Sequence, residues 1–255
     1  MTEIHADFRR IPIAHRALHD VADGRPENSR AAIRAAIAAG YGIEIDLQLS
    51  RDGRAMVFHD YDLTRLTGIN GAIQQRDAAE LSQIGLLGGD EGIPTFAEVL
   101  KLVAGRVPML IELKDQHGQM GVTDGRLERA VVADMQGYDG PVGLMSFNPN
   151  SVVELADLMP GIPRGIVSEH FPAKDWVLLK PETRALLSRI PDYDRAGACF
   201  ISHSVHDLDN PRLAELRGQG AAIFCWTVRS EAQEIEARKV ADNITFEKYL
   251  AKIPS

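Results

Sequence analysis

Ile43-Glu44-Ile45-Asp46-Leu47-Gln48-Leu49 decides the fold. Residues two apart in a strand point to one face, so Glu44, Asp46 and Gln48 share a side while Ile43, Ile45, Leu47 and Leu49 share the other. Taken alone, the run is equally a strand with one face in water. Three other strand-like runs also end in ionisable groups: Ile13-Ala14-His15-Arg16, Val57-Phe58-His59-Asp60 and Ile111-Glu112-Leu113-Lys114. An apolar strand that ends in charge has reached a surface where something is held, and several such ends can converge on one point.

The same unit recurs along the chain. Strands are predicted over 12–14, 43–49, 109–113, 142–147, 165–168, 198–202, 222–228 and 242–246, with 55–58 as an extension of the second after the turn Ser50-Arg51-Asp52-Gly53. Helices are predicted between them over 29–39, 96–103, 127–135, 150–158, 175–189, 211–216 and 231–237. Asn28 or Ser29 caps the first of these, and Thr95 with Glu98 forms a capping box at the second. Eight βα units in roughly 250 residues predict an α/β fold, a (βα)8 TIM barrel. An open doubly wound sheet is the alternative. Residues 60–92, polar and glycine-rich with one short helix over 77–84, read as a small insertion after the second strand that covers a site. With no linker in sight, 1–255 reads as one barrel domain.

Composition narrows the partners. A formal charge of -8 argues against nucleic acid or an anionic membrane as a bulk partner. Cys199 and Cys225 each lie in an apolar run and read as reduced core thiols. Residues 1–10 lack the apolar stretch of a secretion signal. No run approaches the ~20 apolar residues of a membrane span, so a cytoplasmic protein without stable membrane association is expected.

In a βα barrel the C-terminal strand ends build the active site. That puts His15, Arg16, Glu44, Asp46, Glu112 and Lys114 on one rim. Three carboxylates gathered away from solvent raise at least one pKa unless a cation neutralises them. An all-oxygen, thiolate-free set suits one hard divalent cation, Mg2+ or Ca2+. His15 and His59 are candidates for proton transfer; Arg16 and Lys114 are candidates for phosphate binding.

At this point the residues resemble a known family. His15-Arg16, Pro26-Glu27-Asn28, Glu44-Ile45-Asp46, Asp52-Gly53, Val57-Phe58-His59-Asp60 and Leu63-Thr64-Arg65-Leu66-Thr67 follow in the order and spacing of the glycerophosphodiester phosphodiesterases. Ile93-Pro94-Thr95-Phe96-Ala97-Glu98-Val99-Leu100 and Ile111-Glu112-Leu113-Lys114 continue the likeness, and Ser146-Phe147, Trp226-Thr227-Val228 and Asp242-Asn243-Ile244 extend it more loosely. The resemblance implies hydrolysis of small glycerophosphodiesters to glycerol 3-phosphate and an alcohol. It implies metal ligation by Glu44, Asp46 and Glu112, acid and base roles for His15 and His59, and phosphate binding by Arg16 and Lys114. Glu27 would be a partner near the metal and Arg16, and Trp226 would line the substrate cleft. The chain departs from the family at Ala17, where a glycine is usual, in the longer loop carrying His19, Asp20 and Asp23, and at Phe246-Glu247-Lys248.

Specificity for the alcohol is expected in residues 17–25 and 60–92, and His203 and His206 are expected on the same rim. Two other readings stand beside hydrolysis of small diesters: phospholipase D-like action on lysophospholipids, and a barrel that binds a phosphodiester without catalysis.

Overall fold

The computed structural model describes residues 2–254. Its centre is a closed barrel of parallel strands: β1 (Ile13–Ala14), β2 (Gly42–Leu49), β4 (Met109–Leu113), β5 (Val142–Ser146), β6 (Arg164–Ser168), β7 (Phe200–Ser204), β8 (Ala222–Val228) and β9 (Asn243–Phe246). β1 pairs with both β2 and β9, which closes the ring. Residues 55–57 do not extend β2. They form β3 (Ala55–Val57), which folds back antiparallel on it. The reversal is local: Ser50 accepts from Gly53, and Gly53 holds a φ of 79°, which glycine adopts at no steric cost.

Helices α2 (Arg30–Ala39), α5 (Phe96–Val103), α6 (Arg126–Asp134), α7 (Pro149–Leu158), α8 (Pro181–Leu187), α9 (Pro211–Gly218) and α10 (Glu231–Ala237) follow the strands, and α1 (Asp7–Arg10) precedes β1. Ser29, not Asn28, caps α2 by accepting from Ala32 N–H, and the Thr95–Glu98 capping box forms as expected. The helix predicted over 175–189 is shorter. Lys180, before Pro181, is extended at φ -62° and ψ 149°, so the helix starts only at Pro181.

Parity along the strands sorts the barrel. Ile43, Ile45, Leu47 and Ile111 face the helices and pack with Ile33, Val99, Val103 and Val131. Leu110, Met145, Val167, Phe200 and Phe224 face inward, and Phe8 and Ile13 join them. β2 is therefore buried on both faces, and the half-solvated reading of Ile43–Leu49 fails. Its polar row points into the barrel interior. Residues 60–92 carry two short helices, α3 (Thr64–Thr67) and α4 (Ala78–Leu81), over a small apolar cluster that includes Phe58, Leu66, Ile73 and Leu81. No helix among the described residues is long and apolar enough to cross a membrane.

Candidate active site

Parallel pairing sets Asp46 of β2 beside Glu112 of β4. Ligand oxygens of Glu44, Asp46 and Glu112 all lie within 4.8 Å of one another, and all three residues are buried. Lys114 Nζ sits among them, 2.7 Å from Asp46 Oδ1 and 2.6 Å from Glu112 Oε1. Arg16 enters from the end of β1: its backbone N–H donates to Glu44 Oε2 at 2.9 Å, and its Nε lies 3.6 Å from Asp46 Oδ2.

The electrostatics are uneven. Burial raises the Asp46 pKa, but Lys114, His59 and Arg16 outweigh it and hold the carboxyl well below the usual range. Glu44 moves the other way, pushed well above its ordinary value by burial and by repulsion from Asp46 and Glu112. The fixed cations thus leave one carboxylate of the cluster uncompensated, which is costly in a buried setting. Buried oxygen donors with that surplus of negative charge fit a hard divalent cation.

Each histidine is held by a carboxylate. His15 Nδ1 lies 2.7 Å from Glu247 Oε2. A carboxylate can only accept, so Nδ1 carries the proton and Nε2 is left as the acceptor. Burial lowers the His15 pKa to about 4 despite Glu247, so the ring is neutral near pH 7. Glu247 also takes Arg229 Nε at 2.7 Å and has His19 Nε2 at 3.5 Å. His59 Nδ1 lies 2.6 Å from Asp60 Oδ1. Asp60 in turn accepts from Arg65, Arg65 forks onto both oxygens of Glu27, and Glu27 accepts from Arg16 at 2.7 Å. This relay ties His59 to Arg16. Asn28 Nδ2 donates to Asp46 Oδ2 at 2.9 Å, which fixes the carboxylate on its strand.

Two cavities meet here. An inner chamber of about 150 Å3 reaches into the barrel past His15, Arg16, Ser202, Arg229 and Thr245. An outer cleft of about 700 Å3 opens past Tyr61, Met120, Trp176 and His206. His59, Glu112, Lys114, Phe147 and Trp226 line both, so they mark the junction. Trp226 donates from Nε1 to the Ser202 carbonyl at 3.1 Å and meets Phe147 edge-on at 5.6 Å. Phe147 also packs 4.9 Å from Trp176, whose Nε1 donates to Glu169 at 2.6 Å.

The nine residues to which the resemblance gives site roles converge: His15, Arg16, Glu27, Glu44, Asp46, His59, Glu112, Lys114 and Trp226 lie in one connected set of contacts and cavity walls. A family model for the "Glycerophosphoryl diester phosphodiesterase family" matches residues 15–246. This chain belongs to that family. The reaction is hydrolysis of a glycerophosphodiester to glycerol 3-phosphate and an alcohol. The chain is 27% identical over 250 residues to the glycerophosphodiester phosphodiesterase of Caldanaerobacter subterraneus, covering 93% of each. It is 26% identical over 208 residues to a Bacillus subtilis enzyme of the same name, covering 74% of this chain and 67% of the relative. Among solved structures, an Oleispira antarctica phosphodiesterase in complex with the product sn-glycerol-3-phosphate superposes with a TM-score of 0.74 at 24% identity, over 93% of this chain and 92% of that one. That likeness is one of fold.

Two groups that touch the site carry little signal in the sequence, and one histidine lies elsewhere than expected. Arg65 was visible only as part of a motif, yet it bridges Asp60 and Glu27. Glu247 stood out only as a departure from the family pattern, although an acidic residue after the last strand is by position a rim group. His203 does not lie on the rim. It is fully buried within β7, with Nδ1 2.7 Å from Ser168 Oγ and Nε2 2.9 Å from Asp207 Oδ2. The strand runs two residues beyond the expected 198–202, which draws this histidine inside. His206 does line the outer cleft. Among the described residues, none from 17–25 lines either cavity, and of the insertion Asp60, Tyr61 and Asp62 reach the outer one.

Proposed function

We propose that His15 and His59 divide the proton transfers of diester hydrolysis at a centre holding one divalent cation, Mg2+ or Ca2+, on Glu44, Asp46 and Glu112. The observation that carries this reading is the junction, where the carboxylate cluster and His59 meet between two cavities that can each take one arm of a diester. When bound, the cation supplies Lewis-acid polarisation of a non-bridging phosphate oxygen.

Neutral His15, its Nδ1 proton directed at Glu247, takes a proton at Nε2 from the nucleophile, which is a water or the glycerol hydroxyl next to the phosphate. A P–O bond forms as the P–O bond to the alcohol breaks. His59, held through Nδ1 by Asp60, hands a proton to the departing alkoxide. With water as the nucleophile this adds one water across the P–O bond. With the glycerol hydroxyl it leaves a cyclic phosphodiester, which a water that gives its proton to His59 opens as His15 returns its proton to the hydroxyl, so the net change is again one water added. Arg16 and Lys114 hold phosphate oxygens, the first as a planar fork and the second as a point charge. Phe147, Glu112 and Trp226 confine the reacting group at the junction.

The leaving alcohol belongs in the outer cleft. Its ring faces, Phe147, Trp176 and Trp226, and its carboxylates Glu169 and Asp175 favour an alcohol that carries positive charge. A second reading, phospholipase D-like action on lysophospholipids, is favoured by exposed Val177 and Leu178 beside Trp176. An acyl chain, however, gains nothing from the carboxylates it desolvates.

The test is His15→Ala and His59→Ala. Each should lose about 10²–10⁴-fold in kcat with an unchanged circular-dichroism spectrum. Near wild-type kcat in either variant would falsify the division of roles.

A further inference from the structure

Two hydroxyls in the wall of the inner chamber have no partner among the described residues. Ser202 projects inward from β7 and Thr245 from β9, on either side of the strand that carries Trp226. Each residue is 1% exposed, and neither Ser202 Oγ nor Thr245 Oγ1 hydrogen-bonds any group among the described residues. Buried polar atoms are paired in the large majority of cases, because desolvating an unpaired one is costly. Two other buried strand serines follow that rule: Ser146 Oγ donates to the Leu113 carbonyl at 2.6 Å, and Ser168 Oγ meets His203 at 2.7 Å. Ser151 Oγ, on α7, is also unpaired but lines neither cavity. Ser202 and Thr245 break it together, in the wall of one chamber.

We propose that Ser202 and Thr245 bind the hydroxyls of the glycerol arm, and so determine which arm of the diester enters the barrel. The inference rests on the hydrolysis assigned above and adds its specificity. A glycerol arm brings two hydroxyls, each able to donate and accept, to two hydroxyls that lack partners. An ammonium alcohol such as choline leaves both of them unpaired, since its methyl groups neither donate nor accept conventional hydrogen bonds. The smaller chamber of about 150 Å3 also suits the small arm, while the cleft of about 700 Å3 leaves room for varied alcohols. With the glycerol arm seated inward, the phosphate lies at the junction and the alcohol points outward. Sites that hydrogen-bond a substrate hydroxyl discriminate strongly against analogues lacking it.

The experiment measures the Kd of sn-glycerol 3-phosphate and of inorganic phosphate by calorimetry, for the wild type, Ser202→Ala and Thr245→Val, at one fixed Mg2+ concentration. Glycerol 3-phosphate should bind the wild type more tightly than phosphate. Each variant should reduce that preference at least about tenfold, with the larger change in the glycerol 3-phosphate constant. The apo variants should melt no lower than the wild type, because a hydroxyl without a partner has been removed. An unchanged preference in both variants overturns the proposal and leaves the hydroxyls with a structural role alone. The binding readout needs no turnover. A wild type that keeps the preference but releases no glycerol 3-phosphate from diesters refutes the hydrolytic reading only.

Discussion

Glu247 Oε2 sits 2.7 Å from His15 Nδ1, joining the residue after the last strand to the residue after the first. The two strands are neighbours in the closed barrel, so a contact between residues 232 positions apart needs no long loop. Glu247→Gln keeps the size but loses the fixed direction of the proton, since an amide can present either donor or acceptor. The variant should lose about 10–100-fold in kcat, with KM changed much less. Glu247→Asp should recover part of the loss. A full-activity glutamine variant would remove Glu247 from the mechanism.

His203 gives the fold a pH dependence. Burial holds its pKa below the ordinary histidine value despite Asp207. The unfolded chain therefore binds more protons than the folded one once the pH falls to about 6.5 and below. Stability from the neutral buried ring is fully present above that pH and declines beneath it. Tm should drop between pH 7.5 and 5, and His203→Gln, with a lower Tm at pH 7.5, should show a shallower drop. Parallel curves would assign the acid sensitivity to other groups.

Ala17 lies in the left-handed region at φ 65°, where its methyl group is strained and where the family usually carries glycine. Relief of that strain is partly offset by the greater freedom of glycine in the unfolded chain. Ala17→Gly should leave Tm unchanged or raise it by about 1–3 °C, and Ala17→Val should lower it. A glycine variant that melts well below the wild type would show that the buried methyl matters more than the backbone.

The outer cleft should rank alcohols by charge. Glycerophosphocholine should show a higher kcat/KM than glycerophosphoserine or glycerophosphoglycerol. Trp176→Leu should narrow the gap by several-fold, since cation–π contacts contribute about 0.5–2 kcal/mol. Equal kcat/KM across the three substrates would rule out a cation-selective cleft.

Much of this was legible in the sequence because the chemistry sits where strand periodicity puts it. Glu44, Asp46 and Glu112 are readable as one cluster from parity alone once the barrel is assumed. Less legible was what depends on distant parts of the chain. The Glu247–His15 pair follows from barrel closure, and the Arg65 bridge follows from how residues 60–92 fold over their own apolar cluster. Short elements were also missed: β3 reverses on a single turn, and α8 is cut back by Pro181. Ser202 and Thr245 gave no signal at all. A small hydroxyl residue in a strand is ordinary, and what singles these two out is a hydroxyl without a partner among the described residues in the wall of the chamber.

The decisive assay follows release of sn-glycerol 3-phosphate from glycerophosphocholine after exhaustive chelation, then on adding back Mg2+ or Ca2+, for the wild type and Glu44→Gln. The wild type should be silent in chelator and recover with one or both ions. Glu44→Gln should need a higher ion concentration and reach a lower kcat. Full wild-type activity in excess chelator would contradict a cation centre on Glu44, Asp46 and Glu112.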